Sequence, residues 1–192
     1  MKKTVFFLCL ILFLLCGCAP RAREYSAIAT AGQTPLMTQT ASRGTSLANV
    51  QTQDPPARFA VPAGWTVEPD TGLYTLTRSG LNATIEFMAM ERIHPDYTYK
   101  KELSALEASV KRCFADVEIT YKNKYYVLGG YSGIEILYTY TPADAQTGQK
   151  TSHAVILFSD GYEYSFVLTS ETTAFLEGEQ AFKEILFSLE LG

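Results

Sequence analysis

The chain has 192 residues, with 16 Lys+Arg against 20 Asp+Glu, a formal net charge of −4, and 47% hydrophobic, 12% aromatic and 19% charged residues. That balance is too apolar for a disordered chain and too mixed for a multi-span membrane protein. The acidic excess disfavours nucleic acid as a partner, because phosphate binding needs a cationic surface.

Lys2 and Lys3 open the chain, and an apolar run follows from Thr4 to Leu15. A spanning helix needs about 20 apolar residues. This run is shorter, and Gly17, Pro20 and Arg21 follow at once, so it has the form of a signal-peptide core. Its end, Leu15-Cys16-Gly17-Cys18, resembles a bacterial lipobox: an aliphatic residue, a tolerant position, a small residue, then Cys. The resemblance implies that residues 1–17 are a lipoprotein signal peptide. It implies that Cys18 is S-diacylglycerated and becomes the first mature residue, which makes the protein extracytoplasmic and lipid-anchored to the bacterial cell membrane. Two acyl chains anchor stably where one is marginal. Cys9 and Cys16 leave with the signal peptide, the mature protein keeps Cys18 and Cys113, and with Cys18 consumed by lipid no internal disulfide is expected.

Residues 18–56 are the lipidated Cys and a tether. Thr30 to Gln53 is rich in Thr, Gln, Ala and Ser, with almost no large apolar residue, and Asp54-Pro55-Pro56 closes the segment. Such a composition cannot bury enough surface to offset its ordering entropy. As a random coil it spans roughly 30–40 Å, enough to lift a domain off a lipid surface.

Residues 57–192 are the folded domain, with 11 Lys+Arg against 18 Asp+Glu. Arg58 to Val61 predicts a short strand, interrupted by Pro62-Ala63-Gly64 and resumed at Trp65-Thr66-Val67. Leu73 to Thr77 alternates into the turn Arg78-Ser79-Gly80. Ala83, Ile85, Phe87 and Ala89 mark one face of the next strand, with Met88 and Met90 on the other. Thr98 is a candidate N-cap. Leu103, Leu106, Val110 and Phe114 form one apolar stripe at helical spacing. Val117, Ile119 and Tyr121 alternate again, as do Tyr125 and Val127. Gly129-Gly130 is a break, and Ile134, Ile136, Tyr138 and Tyr140 share a strand face. Pro142 to Gly148 predicts a polar hairpin loop. Ala154 to Phe158 is apolar on both faces, the pattern of a central strand covered on both sides. Asp160-Gly161 is a strong hairpin turn, and Tyr164, Phe166 and Leu168 return. Phe175 to Leu189 closes the domain as a helix whose core stripe is Phe182, Ile185, Leu186 and Leu189. Hairpins between neighbours and a doubly covered strand predict an α+β sandwich, a largely antiparallel central sheet flanked by helices.

Three stretches add a resemblance. Phe59-Ala60-Val61-Pro62-Ala63-Gly64-Trp65, the glycine-led strand from Gly130, and the close from Asp160-Gly161-Tyr162 to Phe182, Ile185-Leu186 and Ser188-Leu189 are similar to the PsbP/Mog1/DcrB-like superfamily over residues 57–192. The resemblance implies the same helix-flanked antiparallel sheet. It implies little about chemistry, since members include photosystem accessory proteins, a Ran-binding protein and bacterial lipoproteins of unassigned role.

The residues themselves carry no catalytic set. His94 sits in a loop before Pro95, and His153 starts the buried strand at its edge. Neither lies at ligand spacing with the other or with Cys113, so no metal and no cofactor are expected. Gly129-Gly130-Tyr131-Ser132-Gly133 approaches a nucleophile elbow, but Ile134 stands where the last Gly is required and a strand follows where a helix should. It is a glycine bend into a strand. Glu86, Glu91, Glu135 and Glu163 lie in or beside strands, where they either face solvent or pair across the sheet for acid–base work. Eleven of the twelve tyrosines fall within the domain. Packing with the hydroxyl in water explains most of them. Tyr97, Tyr99, Tyr125 and Tyr126 are the candidates for a partner-binding surface.

Two functions remain open. One is a membrane-anchored, non-catalytic binding or accessory domain whose partner is an envelope protein or wall component. The other is an envelope enzyme acting on a glycan or peptide with carboxylates gathered by folding. A small-ligand-binding lipoprotein is disfavoured by size, because such proteins close two lobes around a hinge.

Overall fold

The computed structural model describes residues 49–53, 55–142 and 148–192. Over these the chain runs β1 (Asn49–Gln53), β2 (Pro56–Ala60), β3 (Trp65–Asp70), β4 (Leu73–Arg78), β5 (Ala83–Glu91), α1 (Tyr99–Cys113), β6 (Ala115–Leu128), β7 (Tyr131–Thr141), β8 (Lys150–Ser159), β9 (Tyr162–Glu171), α2 (Phe175–Phe187) and β10 (Glu190–Leu191). Seven strands form one antiparallel sheet in the order β3-β4-β5-β9-β8-β7-β6, and β1-β2-β10 form a smaller one.

The centre of the large sheet is the β8–β9 hairpin. Asp160 and Gly161 both take positive φ (49° and 83°), the backbone a two-residue hairpin requires. From Thr151 to Leu157 and from Glu163 to Leu168 every residue is buried. Neither face of these strands meets water, so each face has its own cover. On one face lies α2, which buries Gly178, Ala181, Phe182, Ile185 and Leu186. Phe59 of the small sheet packs on the same face. Its ring meets Phe87 edge-on at 5.0 Å and Phe166 at 5.8 Å. On the other face lies α1. Thr98 caps it by accepting from the Lys101 amide, and Leu103 and Val110 are buried. Just beyond its last turn, Phe114 stacks on Tyr140 at 4.1 Å.

Gly133 is fixed by packing. A Cβ there would lie 2.1 Å from the Ile156 carbonyl oxygen of the adjacent strand, a backbone atom that cannot step aside. The far end of the chain is tied by Tyr131, whose hydroxyl donates to the Leu191 carbonyl (3.0 Å) and accepts from the Leu191 amide (3.1 Å).

The antiparallel, helix-flanked sheet and its order of elements are as the sequence predicts, and three details differ. Strand β1, Asn49–Gln53, lies inside the stretch assigned to the tether, because it gains a full antiparallel register with β2 and buries Val50. A polar strand with one inward side chain leaves little hydrophobic signal. The segments on either side of Pro62-Ala63-Gly64 are not one interrupted strand: β2 and β3 belong to different sheets, and the turn carries the chain between them. His153 is mid-strand rather than at an edge, since β8 begins at Lys150. The signal peptide, Cys18 and the tether up to Ala48 lie outside the described residues, as does most of the Pro142–Gly148 loop.

Gly133→Ala is expected to destabilise the domain by about 3 kcal/mol, lowering Tm by roughly 10 °C in a thermal melt followed by circular dichroism.

Candidate functional site

Side chains alternate along β8, so His153 shares a face with Val155 and Leu157 and lies under α2. The residue is 7% exposed. Nε2 lies 2.9 Å from Oε1 of Glu135 on β7, and Nδ1 lies 2.9 Å from Oε2 of Glu179 on α2. The Phe182 ring packs 5.0 Å away. Burial opposes a charge on the imidazole, but the two carboxylates outweigh it and lift His153 to about 9. At neutral pH it is an imidazolium donating to both. Glu179 is also bound by Lys183, one helical turn on, at 3.1 Å. Burial pushes Glu179 up, and His153 and Lys183 pull it down further, leaving it below the ordinary carboxylate range. Tyr126, on the adjoining part of β6, is raised to about 12 by burial and then by Glu135 and Glu179.

A second charged group closes the opposite face, at the end of the sheet where the β8–β9 turn lies. Arg92, just past β5, meets Glu102 of α1 at 3.1 Å and donates to the Tyr97 carbonyl at 2.8 Å. Its guanidinium lies 4.3 Å over the Phe158 ring, and Tyr99 stacks on the same ring at 5.5 Å. Beneath them Glu163 of β9 is 4% exposed, and its Oε1 has no hydrogen-bond partner among the described residues. Burial, then Glu102, raise its carboxyl to about 7 against the pull of Arg92.

The nominated tyrosines therefore fall in two places. Tyr97 lies between the His94 ring (4.3 Å) and the Lys101 ammonium (3.9 Å), and Tyr99 lies against Phe158, all at the approach to α1. Tyr125 and Tyr126 lie on the edge strand β6. Tyr126 turns in toward the His153 group, whereas Tyr125 is 69% exposed with Lys124 5.0 Å from its ring. Tyr121 and Val127 are exposed on the same strand. A separate apolar notch of about 360 Å³ lies between Ala60-Val61-Pro62 and the end of α2 at Glu184, Phe187 and Ser188.

Glu86 and Glu163 are too far apart to work as an acid–base pair. Glu86 is raised to about 7 by burial, like Glu163, and both lie on the α1 face. Glu163 is registered with Met90, four residues along β5 from Glu86. At about 3.3 Å per residue that is roughly 13 Å, wider than the carboxylate pairs of glycosidases, about 5–9 Å. Gly129 and Gly130 take positive φ at the bend into β7, which is a turn and not an elbow. Among the described residues no group of three or more His, Cys, Asp or Glu could hold a metal ion, and no helix is long and apolar enough to cross a membrane.

No protein-family model matches the chain, and no curated protein does. Solved structures do. The cyanobacterial PsbP (CyanoP) of Synechocystis matches with TM-score 0.56 at 11% identity, over 86% of this chain and 99% of that one. LpqN of Mycobacterium tuberculosis, described as involved in cell envelope biogenesis, matches with TM-score 0.54 at 14% identity, over 76% and 90%. The Ran-binding protein Mog1p of Saccharomyces cerevisiae matches with TM-score 0.52 at 11% identity, over 76% and 96%. The domain has the PsbP/Mog1/DcrB-like fold. At these identities the likeness concerns architecture, and a shared fold does not by itself carry a function.

The His153 group was missed in the sequence, although a signal existed. His153 has the same strand parity as Val155 and Leu157, so a central strand covered on both faces had to bury it. Glu179 could not be found this way, because α2 meets β8 only after folding.

Two expectations follow. The raised His153 contributes stability that is fully present below about pH 6.5 and is lost as pH climbs through about 9. Urea unfolding at about pH 6 and about pH 10 should show that loss, and His153→Ala should remove it while costing about 3–5 kcal/mol at pH 6 by leaving two glutamates facing each other. Glu163 works in the opposite sense to a paired carboxylate. Its folded value is raised, so stability is lost as pH rises from about 4.5 through about 7. Glu163→Gln should raise Tm by about 5 °C at pH 8 and leave it nearly unchanged at pH 4.5.

Proposed function

We propose that this chain is an extracytoplasmic lipoprotein, held at the bacterial membrane through acylated Cys18, whose PsbP-like domain binds an envelope component and does not catalyse. The binding reading rests on the state of His153. Both ring nitrogens are taken by carboxylates at 2.9 Å and the ring is held charged, so the buried imidazole is a fastener between helix and sheet and not a general base. The aromatic edge of the domain supports the same reading. Tyr125 stands out from β6 beside Tyr121 and Val127, and exposed tyrosines with apolar neighbours are the usual anchors of a protein contact. Tyr126 lies beside it on the same strand and turns inward, and Tyr97 and Tyr99 form a separate aromatic group at the approach to α1. The anchor reading rests on Leu15-Cys16-Gly17-Cys18 at the end of a short apolar run. The envelope role described for LpqN, on a similar architecture, agrees with it.

In-cell crosslinking of the tagged protein with membrane pull-down and mass spectrometry tests both halves. The expected result is a processed, acylated protein in the membrane fraction with a discrete crosslinked partner, both lost in Cys18→Ala. A Cys18→Ala protein that is processed and membrane-bound like the parent would end the anchor reading. Turnover of a glycan or peptide that survives in the parent and vanishes in a single Glu variant would end the non-catalytic one.

A further inference from the structure

Among the described residues, each sheet ends in strands that pair on one side: β3 and β6 in the large sheet, β1 and β10 in the small one. Such an edge carries a row of backbone donors and acceptors that can take another strand, and proteins guard it with charge, proline, bulges or shortness. Three of these four edges are guarded. β3 carries Glu68, Pro69 and Asp70. β6 shifts register against β7 at three places and exposes Lys122 and Lys124. β10 is two residues long, and one of them is Glu190. β1 has none of these devices. Asn49-Val50-Gln51-Thr52-Gln53 has no charge and no proline, and its five residues pair with β2 in unbroken antiparallel register.

The composition of β1 also selects what pairs with it. A charged peptide would find no counter-charge on this strand, whereas a second copy finds its match. With a two-fold axis through Gln51, Asn49 stands opposite Gln53, Val50 opposite Thr52, and Gln51 opposite itself. All five residues pair in this register, and the positions of Val50 and Thr52 stay on one face. A one-residue slip would set inward positions against outward ones. Gln51 is exposed. Its carboxamide both donates and accepts, so it can pair with its own copy across the axis, where a charged side chain would be repelled. The strands behind fit the same junction. Arg58 is registered with both Gln51 and Glu190, and its guanidinium meets Glu190 at 3.9 Å. The charge in that row is therefore balanced inside each copy. Across the dimer the two Arg58 positions are three strand spacings apart, about 14 Å, beyond the roughly 8 Å screening length of physiological salt.

We propose that β1 is a homodimer interface: two copies join through an antiparallel β1–β1 pair centred on Gln51, making one six-stranded sheet of the two small ones. The inference adds a second partner, on a different sheet from the β6 edge, and does not depend on what binds there.

The test is position-specific oxidative crosslinking of the full chain in membranes of the producing cells, with single cysteines placed on β1 in a Cys113→Ser background. A residue that faces its own copy across an antiparallel pair has Cα atoms about 4.5–5.5 Å apart, within the span of a disulfide. Asn49 and its copy would be about 14 Å apart, outside it. Gln51→Cys is expected to give at least about fivefold more linked dimer on a non-reducing gel than Asn49→Cys. Asn49→Cys and Gln53→Cys, produced together, are expected to link to each other. The Cys113→Ser parent sets the background. A dimer band there reports a free Cys18 and so a failure of the lipoprotein reading, while the contrast between positions 51 and 49 above that band still decides this one. A second measurement is sedimentation of the detergent-solubilised protein. Gln51→Lys, a change at an exposed position, sets two ammonium groups face to face and is expected to weaken self-association at least about tenfold, whereas Asn49→Lys leaves it within about twofold. Equal linking at positions 49 and 51, no linking at 51 in the folded protein, or self-association unchanged by Gln51→Lys would each overturn the proposal.

Discussion

Strands β8 and β9 lie in the middle of a seven-stranded sheet with both faces buried, and that condition organises the rest of the molecule. A sheet with water on one side needs one cover, and this one needs two. The chain supplies α1 to one face after five strands, and α2 with the small sheet to the other at its end. Removing apolar area from water stabilises both layers at about 25 cal/mol per Å². The same burial makes every polar group on the central strands depend on a partner inside the protein.

His153 and Glu163 show the two ways that dependence resolves. His153 lies under α2 between two carboxylates, and the pairing outweighs desolvation, so the charged form is favoured. The ion group then ties β7, β8 and α2 into one unit. Glu163 lies under the Arg92–Glu102 pair, where the nearer guanidinium is already engaged, and desolvation outweighs attraction. Its neutral form is favoured instead. Both are core side chains on adjacent strands, and the difference follows from whether a free partner of opposite charge is within reach.

The likeness to CyanoP, LpqN and Mog1p concerns this two-sided architecture. At 11–14% identity that likeness is one of architecture alone. In this chain the edge strand β6 carries Tyr121, Tyr125 and Val127 exposed to solvent, where the core does not hold them and recognition is free to use them.

The sequence by itself determined the local elements and the class. Thr98 as a cap, the helical stripe from Leu103, the Asp160-Gly161 turn and the doubly apolar Ala154–Phe158 strand are short-range signals, written in neighbouring residues. They were enough to predict a helix-flanked antiparallel sheet. The strand β1 escaped because Val50 is its only buried hydrophobe, and its stability comes from backbone pairing that any sequence provides. Only the tertiary structure decided which charges meet. Glu135, His153 and Glu179 are 18 and 26 residues apart from the histidine along the chain. Such groups form because register and helix docking bring distant positions together, and periodicity within one segment holds no information about what lies across from it.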